Sequence, residues 1–145
     1  LMGKAVARWG ERRAMMFEYT GLIGVFLAYA GIYFFEWGLW FAAILYVLDH
    51  LFFALAFAQK TYFQKIADPA DIRPTAAVAF TINHIAAVFL PAALGYFWVT
   101  SPAGVFGLAA GMAAVSLGLS MLIPRHPEPG RETIFGVRVL DDRPA

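Results

Sequence analysis

The amino-acid sequence predicts an all-α, polytopic membrane protein with four transmembrane helices. Of its 145 residues, 61% are hydrophobic and 14% are charged, and the mean hydropathy is +0.65. This is more apolar surface than one small soluble core can hide. Four apolar runs reach the roughly 20 residues that a helix needs to cross about 30 Å of hydrocarbon. All eleven Lys and Arg residues lie outside these runs.

The predicted spans are 14–35, 37–58, 75–99 and 103–123. Only a few residues join the first two and the last two, which predicts two antiparallel helical hairpins. The middle connection, 59–74, is longer and polar. Within it, Asp68 is a residue type that often caps a helix, and Pro69 suits the first helical position. Pro74 predicts a break in the helix and a new helical start at the third span.

The charges divide the chain into a motif loop at 1–13, a transmembrane region at 14–123 and a polar tail at 124–145. The basic residues precede the first span, separate the second from the third, or follow the fourth. By the positive-inside rule this side is cytoplasmic, so both ends of the segment face the cytoplasm. A cleaved signal peptide fits less well, because Glu18 interrupts the first apolar run and the run continues past Ala30.

The second and third predicted spans carry polar side chains at depth. Asp49 and His50 lie at the midpoint of the second span, and Asn83 and His84 lie in the first half of the third. At helical spacing, Tyr46 shares a face with Asp49 and His50. A charge at the bilayer centre costs roughly 2.5–3.5 kcal/mol. We therefore expect these faces to border a shared polar interior or cavity.

Two features concern the backbone of the spans. Pro91 removes a hydrogen bond inside the third span, which predicts a kink there. Gly24 with Ala28, and Gly107 with Gly111, form small-residue ladders that let helices approach closely. These ladders fit either self-association or packing within one bundle.

Three interpretations of Asp49, His50 and His84 stay open. In the first, Asp49 pairs with His84 or with the Asn83 amide and specifies helix packing, since buried charges are normally paired. In the second, the group contacts a substrate or relays protons, because imidazole titrates near neutral pH. The third is a metal or haem site, which is disfavoured because adjacent helical residues point about 100° apart. We predict no metal, no other cofactor and no enzymatic activity.

The opening segment, Gly3-Lys4-Ala5-Val6-Ala7-Arg8-Trp9-Gly10-Glu11-Arg12-Arg13, resembles the cytoplasmic loop motif of the major facilitator superfamily of transporters. The matching positions are Gly3, Arg8, Gly10, Arg12 and Arg13. Ala7 stands where the family has an Asp. Loss of that Asp favours the second copy of the motif, which joins helices eight and nine of a twelve-helix transporter.

The resemblance implies that the four spans are helices nine to twelve, part of a helical bundle of this family. The stretch from Ala58 to Pro69 also looks like the C-terminal region of bacterial members without an assigned substrate. In the family, helices ten and eleven line the central cavity, which agrees with polar residues on the second and third spans. Leu1 precedes Met2, and we expect an N-terminal portion to be missing from this chain.

The function that the resemblance implies is secondary active transport of a small solute by alternating access, with proton coupling as an option. The expected partners are the bilayer of a bacterial inner membrane, a small-molecule substrate and the remaining helices of the transporter, with no nucleic acid. A transporter like the small multidrug resistance family is the first alternative, but those pairs need nearly balanced charge. A non-transporting four-helix anchor subunit holding a cofactor is the second.

Overall fold

The computed structural model describes residues 9–129 and 131–135, and the regular elements in these ranges are helices. In chain order they are α1 (Glu11–Phe35), α2 (Leu39–Phe53), a 3₁₀ turn (Ala54–Ala56), α3 (Phe57–Ile66), α4 (Pro69–Thr100) and α5 (Pro102–Met121). Four stretches are long and apolar enough to cross a membrane: α1, the run Leu39–Ile66, α4 and α5. The prediction of an all-α chain with four candidate membrane-spanning helices is confirmed.

Side-chain caps and prolines define the starts of the two C-terminal helices. The Asp68 carboxylate accepts a hydrogen bond from the Ala70 N–H at 2.8 Å, and Pro69 opens α4. At the next connection the Ser101 hydroxyl accepts from the Gly104 N–H at 3.0 Å. Each cap satisfies a backbone N–H that the first turn of a helix leaves without a partner. The predicted cap at Asp68 is confirmed.

The middle connection differs from the expectation. The helical run that begins at Leu39 continues through the 3₁₀ turn and α3 to Ile66, because polar residues end a membrane span without ending a helix. The predicted restart at Pro74 is wrong, since Pro74 lies inside α4. It falls in the second turn, where its fixed φ is helical and only one backbone hydrogen bond is lost.

The helices pack in the order α2, α1, α5 and α4. Helices α1 and α5, the central pair, form the largest contact. The flanking helices are α2, which packs on α1, and α4, which packs on α5. The main buried cluster sits at one end of the pair and contains Ala14, Met15, Ala58 and Ile123. The chain after α5 folds back over this end, where the Tyr62 hydroxyl donates to the Glu132 carbonyl oxygen at 2.6 Å.

Most large apolar side chains are exposed. Along α4, which is 32 residues long, no residue is buried. Trp40 and Val99 are 85% and 84% exposed, and Tyr96 is 82% exposed. Contiguous apolar exposure on this scale would aggregate in water, so it indicates a surface covered by lipid or by further helices.

Candidate functional site

The polar group on α2 is built within two helical turns. The Asp49 carboxylate lies 3.6 Å from Nδ1 of His50, and their side chains are 29% and 59% exposed. Nδ1 of His50 also lies 3.0 Å from the Tyr46 carbonyl oxygen, one turn back. The Tyr46 and His50 rings are in contact, with centroids 4.2 Å apart. The aromatic ring and the helix carbonyl together fix the orientation of the imidazole.

The polar group on α4 repeats this arrangement. Nδ1 of His84 lies 3.0 Å from the Phe80 carbonyl oxygen, and the two rings lie 4.0 Å apart. The Thr81 hydroxyl donates to the Ala77 carbonyl oxygen at 3.0 Å. Asn83 is exposed on the same helix. Both helices therefore present an imidazole braced by an aromatic ring four residues earlier.

The contact between Nδ1 and the helix carbonyl oxygen determines which ring nitrogen remains available to other partners. A carbonyl oxygen only accepts hydrogen bonds, so Nδ1 of His50 and Nδ1 of His84 act as donors and carry a proton. In the neutral ring the other nitrogen, Nε2, is then an acceptor. Beside Asp49 this arrangement can accept a proton or a hydrogen bond from a solute, which are the two operations that the sequence suggests for this group.

The two polar groups lie on different sides of the central pair. Asp49 and His50 belong to α2, which packs on α1, whereas Asn83 and His84 belong to α4, which packs on α5. In the described part of the chain, the ion-pair partner of Asp49 is His50, and neither His84 nor Asn83 bonds to it. The structure therefore does not form the packing pair between Asp49 and His84 that the first interpretation requires. Nor do these residues form a metal-binding cluster within the described ranges.

The motif loop is described only from Trp9 onward, so Gly3 and Arg8 lie outside the described residues. Gly10 precedes α1 with φ +80°, a left-handed conformation that favours glycine. Arg12 and Arg13 belong to the first turn of α1 rather than to a loop, Arg12 half-buried and Arg13 exposed. The helix thus begins inside the predicted loop.

The predicted kink residue, Pro91, lies within an unbroken α4. A proline at this position leaves the Ala87 carbonyl oxygen without its usual helical donor. Pro91 lies seven residues, or two turns, beyond His84, on the same face. The bend that the sequence predicts at Pro91 stays a prediction.

Comparison with known proteins leaves the chain without an assigned relative. No family model matches it, and neither a curated protein nor a solved structure matches it. The chemistry of the side chains on α2 and α4 therefore carries the functional inference.

Two buried acids on α1 were not singled out from the sequence. Glu11 is 4% exposed, and its carboxylate pairs with the Lys65 ammonium at 2.6 Å. Glu18 is also 4% exposed, and its Oε2 has no hydrogen-bond partner within the described residues. Their spacing was the available signal, because residues 11, 14, 15 and 18 share one helix face. That face packs inward in the structure.

Proposed function

We propose that the chain is the C-terminal part of a secondary active transporter of the major facilitator type, which moves a small solute across a bacterial inner membrane by alternating access. One observation carries the proposal. Ionisable side chains lie in the middle of two apolar helices: Asp49 is partly buried, with its side chain 29% exposed, and His50 and His84 are exposed. Such residues in a membrane mark substrate, ion or proton pathways.

The energetic argument concerns what covers these side chains. Lipid contact at mid-membrane depth costs a charged side chain roughly 2.5–3.5 kcal/mol even on insertion scales. Among the described residues, Asp49 has only the neighbouring His50 as an ion-pair partner, and that imidazole is itself more than half exposed. Water in a cavity, or polar groups on additional helices, would remove the cost. Alternating-access transporters supply both around a site near the membrane midplane.

The proposed roles follow from the side-chain chemistry. Asp49 is the proton acceptor, and His50 passes protons to it. Tyr46 supplies a hydroxyl, and Asn83 an amide, for hydrogen bonds to the solute. His84 offers a second imidazole on the opposite flank of the central pair. The two flanks would face a common cavity only when further helices of the transporter complete the bundle.

The start of α1 and Pro91 of α4 have other proposed roles. Gly10, just before α1, and Arg12 and Arg13 in its first turn match the family's loop motif. In such transporters this loop stabilises one of the alternating conformations through salt bridges. Pro91 would let α4 bend as the cavity opens.

A flux assay on the full-length gene product tests this proposal. Inverted membrane vesicles are loaded with a pH-sensitive dye, and a pH gradient is imposed or collapsed while sugars, amino acids, organic acids and lipophilic cations are added in turn. We expect at least one solute class to move only with the gradient, and Asp49→Asn to abolish that movement.

The matched control is Asp71→Asn, because Asp71 is an exposed acid in the first turn of α4 rather than at mid-span. This variant should transport like the wild type. Unchanged flux in Asp49→Asn, at equal expression and helicity, would contradict the role of Asp49. Absence of gradient-driven movement across the whole panel would contradict proton-coupled transport.

A further inference from the structure

A basic cavity lies at the end of the bundle where α1 begins. Its volume is about 710 Å³. The first turn of α1, the end of α3 and the chain beyond α5 enclose it. Its lining includes Trp9, Arg12, Arg13, Lys65, Arg125 and His126. Three segments far apart in sequence therefore bring their positive charges to one cavity.

The cavity has more positive charge than its own acids can neutralise. Its acids are Glu11 and Glu128, against four Lys and Arg residues. Lys65 is already paired with the buried Glu11. Arg12, Arg13 and Arg125 have no carboxylate within ion-pair distance in the described part of the chain. Guanidinium groups bind phosphate through paired N–H donors, so these three are ready ligands for a phosphate group.

An aromatic path leads from the cavity onto the apolar surface. Trp9 lines the cavity and packs edge-to-face on Phe17, with centroids 6.1 Å apart. Phe17 packs in turn on Phe52 of α2 at 5.6 Å. Trp9 and Phe17 are 52% and 53% exposed. Trp is enriched where the headgroup region of a membrane meets the hydrocarbon, so this path has the character of a membrane boundary.

We propose that this cavity binds the phosphate headgroup of an anionic phospholipid, with one acyl chain lying along Trp9, Phe17 and Phe52. Basic pockets between membrane helices are suited to such headgroups. A free phosphate ion offers the same chemistry to the arginines, but it would leave the adjoining aromatic path without a partner. The proposal is independent of transport and requires only that the bundle lies in a membrane.

The fluorescence of Trp9 measures whether lipid binds at the cavity. The other three tryptophans, Trp37, Trp40 and Trp98, lie at the opposite end of the bundle, where α1 and α4 end and α2 begins. Replacing them by Phe leaves Trp9 as the only indole in these 145 residues. The full chain is placed in phosphatidylcholine nanodiscs that contain a few per cent of phosphatidylglycerol with brominated acyl chains. Bound brominated lipid quenches the Trp9 fluorescence.

The expected result is quenching by brominated phosphatidylglycerol well above that by brominated phosphatidylcholine at the same mole fraction. Arg12→Gln with Arg125→Gln should weaken this preference by about fivefold for each guanidinium removed, since a basic group near an anionic lipid surface contributes about 1 kcal/mol. The matched control is Lys60→Gln with Arg73→Gln, which removes two exposed charges outside the cavity. It should retain the preference.

The outcomes separate the sources of the phosphate. Equal loss of the phosphatidylglycerol preference in both double variants would show that basic charge attracts the lipid in general. That result would contradict a specific site. A change in Trp9 fluorescence with millimolar inorganic phosphate, without any preference for brominated phosphatidylglycerol, would assign the cavity to the free ion and contradict lipid binding. Equal quenching by both lipids in the wild type would also overturn it. If the Gln variants fail to fold by circular dichroism, Arg12→Lys with Arg125→Lys keeps the charge, and only a reduced preference supports paired guanidinium contacts.

Discussion

The central pair and the two flanking helices follow different packing rules. Helix α1 buries five residues against its neighbours, whereas α4, the longest helix, buries none. Small residues mediate much of the central packing, among them Ala14 on α1 and Ala110 and Ala113 on α5. Membrane helices without a hydrophobic driving force associate through such close contacts.

The contrast assigns separate tasks to the two regions. The central pair holds the four helices together. The flanking helices carry the partly buried Asp49 with the exposed His50, and Asn83 with His84, which are both exposed. The acids Glu11 and Glu18 are buried on α1 of the central pair, while the proposed transport residues lie on the flanking helices. Matched substitutions in the central pair and in the flanking helices test whether the two regions contribute differently to stability.

The largest expected effect comes from overpacking the central cluster. Ala14 is 0% exposed, so Ala14→Leu must displace its neighbours and should cost about 2–3 kcal/mol of unfolding free energy. The matched change on α4 is Ala79→Leu, at an exposed site, and should stay within about 0.5 kcal/mol. Reversible unfolding in mixed detergent micelles measures both. Equal costs would remove the distinction between the two regions.

A smaller effect is expected where α2 meets α1. A methyl group at Gly21 would collide with the Phe52 ring, whereas one at Gly24 meets open space. The ring can turn aside, so Gly21→Ala should destabilise by about 1–2 kcal/mol. Gly24→Ala should stabilise by about 0.5–1 kcal/mol, since it lowers the flexibility of the unfolded chain. The same unfolding assay applies, and a stabilising Gly21→Ala would show that α2 does not pack here.

The smallest effect concerns the chain that returns over the central cluster. Tyr62→Phe removes the hydrogen bond to the Glu132 carbonyl oxygen and should cost about 1 kcal/mol. Tyr96→Phe, at an exposed site on α4, should change stability by less than about 0.5 kcal/mol. Thermal unfolding followed by circular dichroism compares them. If the two variants melt together, the returning chain does not stabilise the bundle.

Local signals made much of the fold predictable. Apolar runs of spanning length correspond to four helices, and the pair Asp68 and Pro69 places the start of α4 because capping depends on adjacent residues alone. Pro74 misled the prediction, since a proline in the second turn costs one hydrogen bond, which a capped 32-residue helix tolerates.

The candidate site was less predictable because its geometry depends on distant packing. Helix periodicity places Asp49 with His50 and Asn83 with His84 on definite faces, but it does not say which helix each face meets. The packing of α1 against α5 decides which helix each face meets, because it separates α2 from α4 and so separates the two polar groups. The buried state of Glu18 was missed for the same reason, since a carboxylate near a span end can equally face water.

Cysteine labelling tests the central claim, that the polar faces of α2 and α4 border water within the membrane, most directly. These 145 residues contain no Cys, so each single replacement is the only thiol in this part of the protein. A membrane-impermeant thiol reagent reacts with the thiolate, which forms readily only in contact with water. In the full-length protein in membranes, we predict labelling of His50→Cys and His84→Cys at least ~10-fold faster than of Leu48→Cys and Ile82→Cys, on the opposite faces. Equal rates at all four positions would contradict the claim and make these residues packing or lipid-facing positions.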